Sequence, residues 1–200
     1  MPDATSSSGE VPVFVTEANR TRLMAMYADA LRHWPVPLET FFVATRYGAT
    51  HVIASGDATA PPVVMTHPMG VGGFVWSSII EVVSARRRAY ALDTIGDVGR
   101  SELADPDKYP KTGRHYSGWL DDVFAALDLS ASDMIGGSMG GWIAMNHAIY
   151  APDRVRRLVL LGPMGLAPWR ATLAGARSIY VTATATRRSE ARRDCHPIIG

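Results

Sequence analysis

The sequence predicts an α/β fold: a mostly parallel sheet with helices on both faces, led by an antiparallel hairpin. Three observations point there. From residue 63 the chain alternates strand, helix, strand, helix, strand, helix, strand, as parallel pairing requires. The strand-like runs, such as Val63-Val64-Met65 and Leu158-Val159-Leu160-Leu161, are continuously apolar, as in strands covered on both faces. Two glycine-rich loops, 67–73 and 136–141, each follow such a strand, where open α/β sheets hold their ligands.

Residues 1–12, with Ser6, Ser7, Ser8 and Gly9, read as a flexible lead. Over 17–34, Leu23, Met26, Tyr27, Ala30, Leu31 and Trp34 recur at helical spacing. Thr16 is a suitable cap and Pro35 stops the helix. Residues 41–46 and 50–55 read as a hairpin around Tyr47-Gly48. Residues 63–66 form a buried strand and 74–84 a helix. Residues 88–92 form a second buried strand ending at Asp93, and 94–112 are irregular. Over 114–127, Tyr116, Trp119, Leu120, Val123, Phe124 and Leu127 form one apolar stripe, the clearest helix in the chain. Residues 133–137, 139–150 and 156–161 complete the pattern as strand, helix and strand. The expected organisation is a lead over 1–12, a core over 13–169, and over 170–200 the start of a lid segment or a frayed basic tail.

Composition excludes several classes. The 200 residues carry 20 Lys+Arg against 19 Asp+Glu, a formal net charge of +1, so broad electrostatic capture of nucleic acid or an anionic membrane is not expected. The six Arg and two acids of 170–200 give that stretch a net +4 inside the near-neutral total. The one cysteine, Cys195, excludes an intramolecular disulfide and a cysteine-based zinc cluster. No apolar run approaches the roughly 18 residues of a membrane span, and Met1–Glu10 lacks a secretory pattern. The expectation is a soluble, cytoplasmic protein. Neither glycine loop fits a dinucleotide or phosphate-loop pattern, and no cluster has metal-ligand spacing. No metal, nucleotide or flavin cofactor is therefore expected.

Gly136-Gly137-Ser138-Met139-Gly140-Gly141 fits Gly-x-Ser-x-Gly between a predicted strand and a predicted helix, the context that motif requires. A sharp turn there lifts the Ser138 hydroxyl above the sheet, and glycines two before and two after keep side chains out of it. The helix starting at Met139 aims its positive end at the same place, suited to a developing oxyanion. Such an oxyanion needs two convergent backbone N–H groups. Met139 supplies one, and Met69 in His67-Pro68-Met69-Gly70 is the candidate for the other. His67 is read as holding its loop and not as the base.

These segments resemble the alpha/beta-hydrolase family over residues 50–169. The resemblance includes the 67–73 loop followed by Trp76, the turn Asp93-x-x-Gly96-x-x-Gly99-x-Ser101, the serine turn, and Ala151-Pro152-Asp153-Arg154-Val155. More narrowly, Thr50-His51-Val52-Ile53-Ala54-Ser55-Gly56, Ile95-Gly96-Asp97, Trp119-Leu120-Asp121-Asp122-Val123-Phe124 and Met134-Ile135-Gly136 are similar to the bacterial branch that contains the naproxen-ester carboxylesterase. The resemblance implies a serine hydrolase acting on small carboxylic esters without a cofactor, with Ser138 as nucleophile. It also implies an oxyanion hole from Met69 and Met139. Pro68 stands where the family more often has glycine, which leaves the Met69 N–H in place. Gly137–Gly141 also resembles cofactor-free perhydrolases and haloperoxidases of the same fold.

In this family an acid and then a histidine follow the serine in chain order. Only 62 residues follow Ser138, and they contain no further buried strand with a histidine loop after it. His147 lies nine residues on along one helix, roughly 13 Å by helical rise. His33, His51 and His115 precede the serine on other elements, Asp153 lies at the far end of its helix, and His196 lies in the tail. The acid and histidine are expected beyond residue 200, with the C-terminal strands missing. The alternative is a catalytically incomplete remnant, or a module that binds an acyl ligand or a partner chain. An exposed sheet edge at 156–161 would then favour self-association.

Overall fold

The computed structural model describes residues 17–166. The expected lead over 1–12 and the expected lid or tail over 170–200 lie outside the described residues, as do Cys195 and His196. Helix α1 (Glu17–Arg32) leads into β1 (Leu38–Thr45) and β2 (Gly48–Ser55). These two pair antiparallel, with Thr45 opposite Gly48 across a two-residue turn. Then come β3 (Pro62–Thr66), α2 (Ile80–Ser84), β4 (Arg88–Leu92), β5 (Glu102–Leu103), α3 (Gly113–Ala126), β6 (Ser132–Gly137), α4 (Met139–Tyr150) and β7 (Val155–Leu161).

The strand order is β1-β2-β4-β3-β6-β7, and β5 pairs antiparallel with β2. β4, β3, β6 and β7 are mutually parallel, and β2 is antiparallel to β4. The expected mostly parallel sheet with an antiparallel lead is what forms.

Alternation along the strands divides the core in two. Val64 of β3, Leu92 of β4 and Met134 of β6 pack on one face with Trp119, Leu120, Val123 and Phe124 of α3 and with Ile143 of α4. Their neighbours Val63, Met65, Ala89 and Ala91 pack on the other face with Tyr27 of α1, with Trp76 and with Ile80 of α2. Each strand thus buries both of its faces, which is why its sequence is continuously apolar. The buried indole N–H groups of Trp119 and Trp34 reach Thr50 Oγ1 at 2.8 Å and Ser55 Oγ at 3.0 Å.

Several boundaries differ from the expectation. Residues 74–84 are not one helix: a 3₁₀ segment over Gly73–Ser78 precedes the short α2. The Val75 and Ile79 N–H groups bond the carbonyls three residues back, at 3.1 and 3.0 Å. This tight winding accompanies a buried Trp76, and the β-branched Val75, Ile79, Ile80, Val82 and Val83 weaken a regular helix. The irregular 94–112 stretch contains β5 and a 3₁₀ turn at Pro106–Lys108. α3 starts one residue early, at Gly113, because the Thr112 hydroxyl caps it by accepting the His115 N–H at 3.2 Å. The exposed edge expected at 156–161 is present among the described residues, on β7. Among them β7 pairs with β6 alone, burying Leu158 and Leu160 while Leu161 is exposed.

Candidate active site

β6 ends at Gly137 and α4 begins at Met139, so Ser138 is the whole junction. Its backbone holds φ 49° and ψ −114°, a conformation that L-residues avoid. The junction is tied to its neighbours: Ser138 N–H donates to Leu161 O at 3.0 Å. The Ser138 carbonyl accepts from Trp142 N–H at 3.1 Å and Met164 N–H at 3.0 Å. The flanking glycines are required by space. A Cβ on Gly136 would sit 2.6 Å from the Gly140 carbonyl oxygen, and one on Gly140 would overlap the Thr66 and His67 carbonyls. Thr66 Oγ1 donates to Gly140 O at 2.8 Å, locking β3 against the start of α4. Met139 is the first residue of α4, so its N–H has no acceptor within the helix.

The loop after β3 lies beside this junction: Pro68 packs where a Gly137 side chain would be, 3.2 Å from the position of its Cβ. His67 is buried and both of its ring nitrogens are occupied. Nε2 accepts the Thr94 N–H at 2.9 Å, which leaves the proton on Nδ1, and that donates to Pro68 O at 2.7 Å. His67 is therefore committed to the loop and not free as a base. The Pro68 carbonyl and the Met69 N–H belong to one planar, trans peptide. Holding the carbonyl fixes the direction of the N–H on its other side. Among the described residues nothing accepts that N–H, and the Met69 side chain is exposed.

Behind the loop stands a buried polar cluster that sequence reasoning missed. Asp93, at the end of β4, accepts from Gly73 N–H (2.6 Å), Arg100 N–H (2.7 Å), Tyr27 O–H (2.9 Å) and His51 Nδ1 (3.0 Å). Burial alone would raise the Asp93 pKa, but the His51, Arg100 and Gly73 hydrogen bonds outweigh it and hold the carboxyl below the usual range. Burial, and then the Asp93 charge, push the Tyr27 phenol upward. The Asp93-x-x-Gly96-x-x-Gly99-x-Ser101 pattern contained a signal for this cluster: Ser101 Oγ donates to Asp93 O at 2.7 Å and accepts from His51 N–H at 2.9 Å. Nothing marked Tyr27, which arrives from α1.

The other described histidines lie elsewhere. His147 is buried between α3 and α4, with Nδ1 3.2 Å from Ser117 Oγ. Burial lowers its pKa to about 4. His33 is exposed and bonds the Asp29 carbonyl, and His115 Nδ1 accepts the Lys111 N–H. Among the described residues no histidine or carboxylate bonds the Ser138 hydroxyl, and no group of three or more His, Cys, Asp and Glu could hold a metal ion. No described helix is long and apolar enough to cross a membrane. A cleft of about 450 Å³ lined by Leu38, Glu39 and Arg88 lies at the amino ends of the parallel strands, away from Ser138.

A strained serine between a buried strand and a helix, with a clamped loop beside it, defines the class. The sequence pattern of the alpha/beta hydrolase fold matches residues 61–193, and the chain belongs to that family. Among particular relatives, it is 39% identical over 145 residues to the "Uncharacterized carboxylesterase nap" of Bacillus subtilis (strain 168), covering 72% of this chain and 47% of that protein. It is 35% identical over 150 residues to "Carboxylesterase YbfK" of the same organism, covering 75% and 50%. The crystal structure of the naproxen esterase (carboxylesterase NP) from Bacillus subtilis superposes with a TM-score of 0.70 at 37% identity, over 75% of this chain and 51% of that one. The chain thus spans about half the length of the relatives it matches.

Proposed function

We propose that this chain is the nucleophile-bearing part of a carboxylic-ester hydrolase. The observation that carries the reading is the backbone of Ser138, strained at a β6–α4 junction that only glycines at 136 and 140 permit. The carboxylesterases among its relatives support esters as the substrate class.

In this reading Ser138 Oγ attacks the ester carbonyl carbon as its proton passes to a base. The carbonyl oxygen takes the charge, and the N–H groups of Met69 and Met139 bind it. Collapse expels the alcohol, which takes the proton back, and water then releases the acid from the acyl-serine. The base and its orienting acid come from outside residues 17–166, since His33, His51, His67, His115 and His147 are committed elsewhere. The reading also has the protein free in the cytoplasm. A second reading, a module that binds acyl ligands without turnover, rests on that same commitment of the described histidines.

The test is hydrolysis of p-nitrophenyl acetate by the 200-residue chain and its Ser138→Ala variant. With no described histidine serving Ser138, turnover is expected at least ~10³-fold below that of a complete serine hydrolase, because the hole and binding alone leave only residual rate. The residual rate should depend on Ser138. Equal rates in both proteins would overturn the proposal, and no rate above buffer in either would favour the binding module.

A further inference from the structure

We propose that Asp97 is a positioning residue for the Met69 oxyanion donor, an inference that rests on the function proposed above. Two peptide planes meet at Met69. The first, Pro68–Met69, is held through its carbonyl by His67. The second, Met69–Gly70, is held through its N–H: Gly70 donates to both oxygens of Asp97, at 3.1 and 3.2 Å. Each trans peptide is rigid, so the two anchors leave the Met69 N–H little rotational freedom. Gly70 has φ 80° and no neighbour within 4 Å of where its Cβ would be, so packing does not restrain it. The Asp97 carboxylate does.

Asp97 is itself fixed. Its Oδ1 accepts the Val98 N–H at 2.7 Å, and its own N–H donates to Thr94 O at 3.1 Å. Thr94 N–H in turn holds His67 Nε2. The loop after β3 and the turn after β4 therefore form one closed hydrogen-bonded circuit around Met69. An oxyanion donor that is pre-aimed needs no reorganisation as charge develops, which is where such a hole acts. Asp97 touches neither substrate nor nucleophile in this account; it works through the Met69–Gly70 peptide.

The experiment is saturation labelling of the full 200-residue chain with a fluorophosphonate, whose phosphoryl oxygen occupies the oxyanion position. The maximal rate kinact and the half-saturating concentration KI are read separately. Asp97→Ala should lower kinact by ~10-fold or more, a fraction of the 10²–10³ lost when a hole donor is removed outright. KI should stay within about twofold, since ground-state binding is untouched. Asp97→Asn keeps an acceptor oxygen for Gly70 and should recover kinact to within about threefold of the parent. A merely structural role would show as a shifted denaturation midpoint with kinact unchanged in the folded fraction. Wild-type kinact in folded Asp97→Ala overturns the inference. Labelling that survives in Ser138→Ala overturns instead the assignment of Ser138, so the two failures are distinct. Amide exchange in the unmutated chain is a second measure: Gly70 should exchange slowly, and unprotected exchange there would contradict the anchor whatever the variants do.

Discussion

Ser138 sits at φ 49° and ψ −114°, and for a residue with a Cβ this region costs on the order of 1–3 kcal/mol. Replacing it by Ala keeps the strain, and replacing it by Gly removes it. Glycine also loosens the unfolded chain, at a cost of roughly 0.4–1 kcal/mol. We expect Ser138→Gly to be at least as stable as Ser138→Ala in urea denaturation despite that cost. A glycine variant clearly less stable than the alanine one would mean that the junction is relaxed. His147 sets a different test. Burial holds its folded pKa at about 4, against an ordinary value near 6.5. Between those two values the unfolded chain binds the proton and the folded chain does not. Stability should therefore fall as pH drops from about 6.5 toward 4, by on the order of 3 kcal/mol in all. Asp93 adds to this only lower down: its pKa is depressed, so its contribution is lost as pH falls below about 4. His147→Gln should flatten the upper window and leave the lower one, as read from unfolding free energy against pH. An unchanged slope would assign the upper window to other groups.

At the scale of elements, the parallel strands and α3 were legible because burial on two faces, or on one stripe, imposes a pattern that few residues can satisfy. Ser138 was legible because its turn requires glycine on both sides. The break at Ile79 was not, since a 3₁₀ turn and an α-helix share nearly the same apolar spacing over one turn. Nor was the Asp93 cluster, whose members come from α1, β2 and the loops after β3 and β4; no local spacing encodes a contact between Tyr27 and Asp93. The Gly70–Asp97 bond joins two loops and was hidden for the same reason. The apolar run of β7 suits a central strand, and among the described residues one of its edges has no strand partner, as the sequence led us to expect. Such an edge offers a free row of N–H and C=O groups to another chain. We expect the 200-residue chain to elute from size exclusion above its monomer mass, and Leu161→Lys, at an exposed position on β7, to shift it toward the monomer. A monodisperse wild-type monomer would show that the edge is covered.

For the whole molecule, the sheet brings three carboxyl-end loops together. The loop after β3 contributes Met69, the turn after β4 contributes the Asp93 and Asp97 anchors, and the junction after β6 contributes Ser138 and Met139. This convergence follows from the strand order β4-β3-β6, which places the ends of sequence-distant strands side by side. Residues 17–166 are thus enough to assemble a serine and two candidate oxyanion donors, while no described histidine serves the serine as proton acceptor. Everything proposed for this site turns on Ser138 acting as the nucleophile. The most direct measurement is incubation of the chain with a fluorophosphonate, followed by mass spectrometry of the modified peptide, with Ser138→Ala in parallel. The account predicts slow, single-site modification at Ser138 that is absent from the alanine variant; equal modification of both proteins would contradict it.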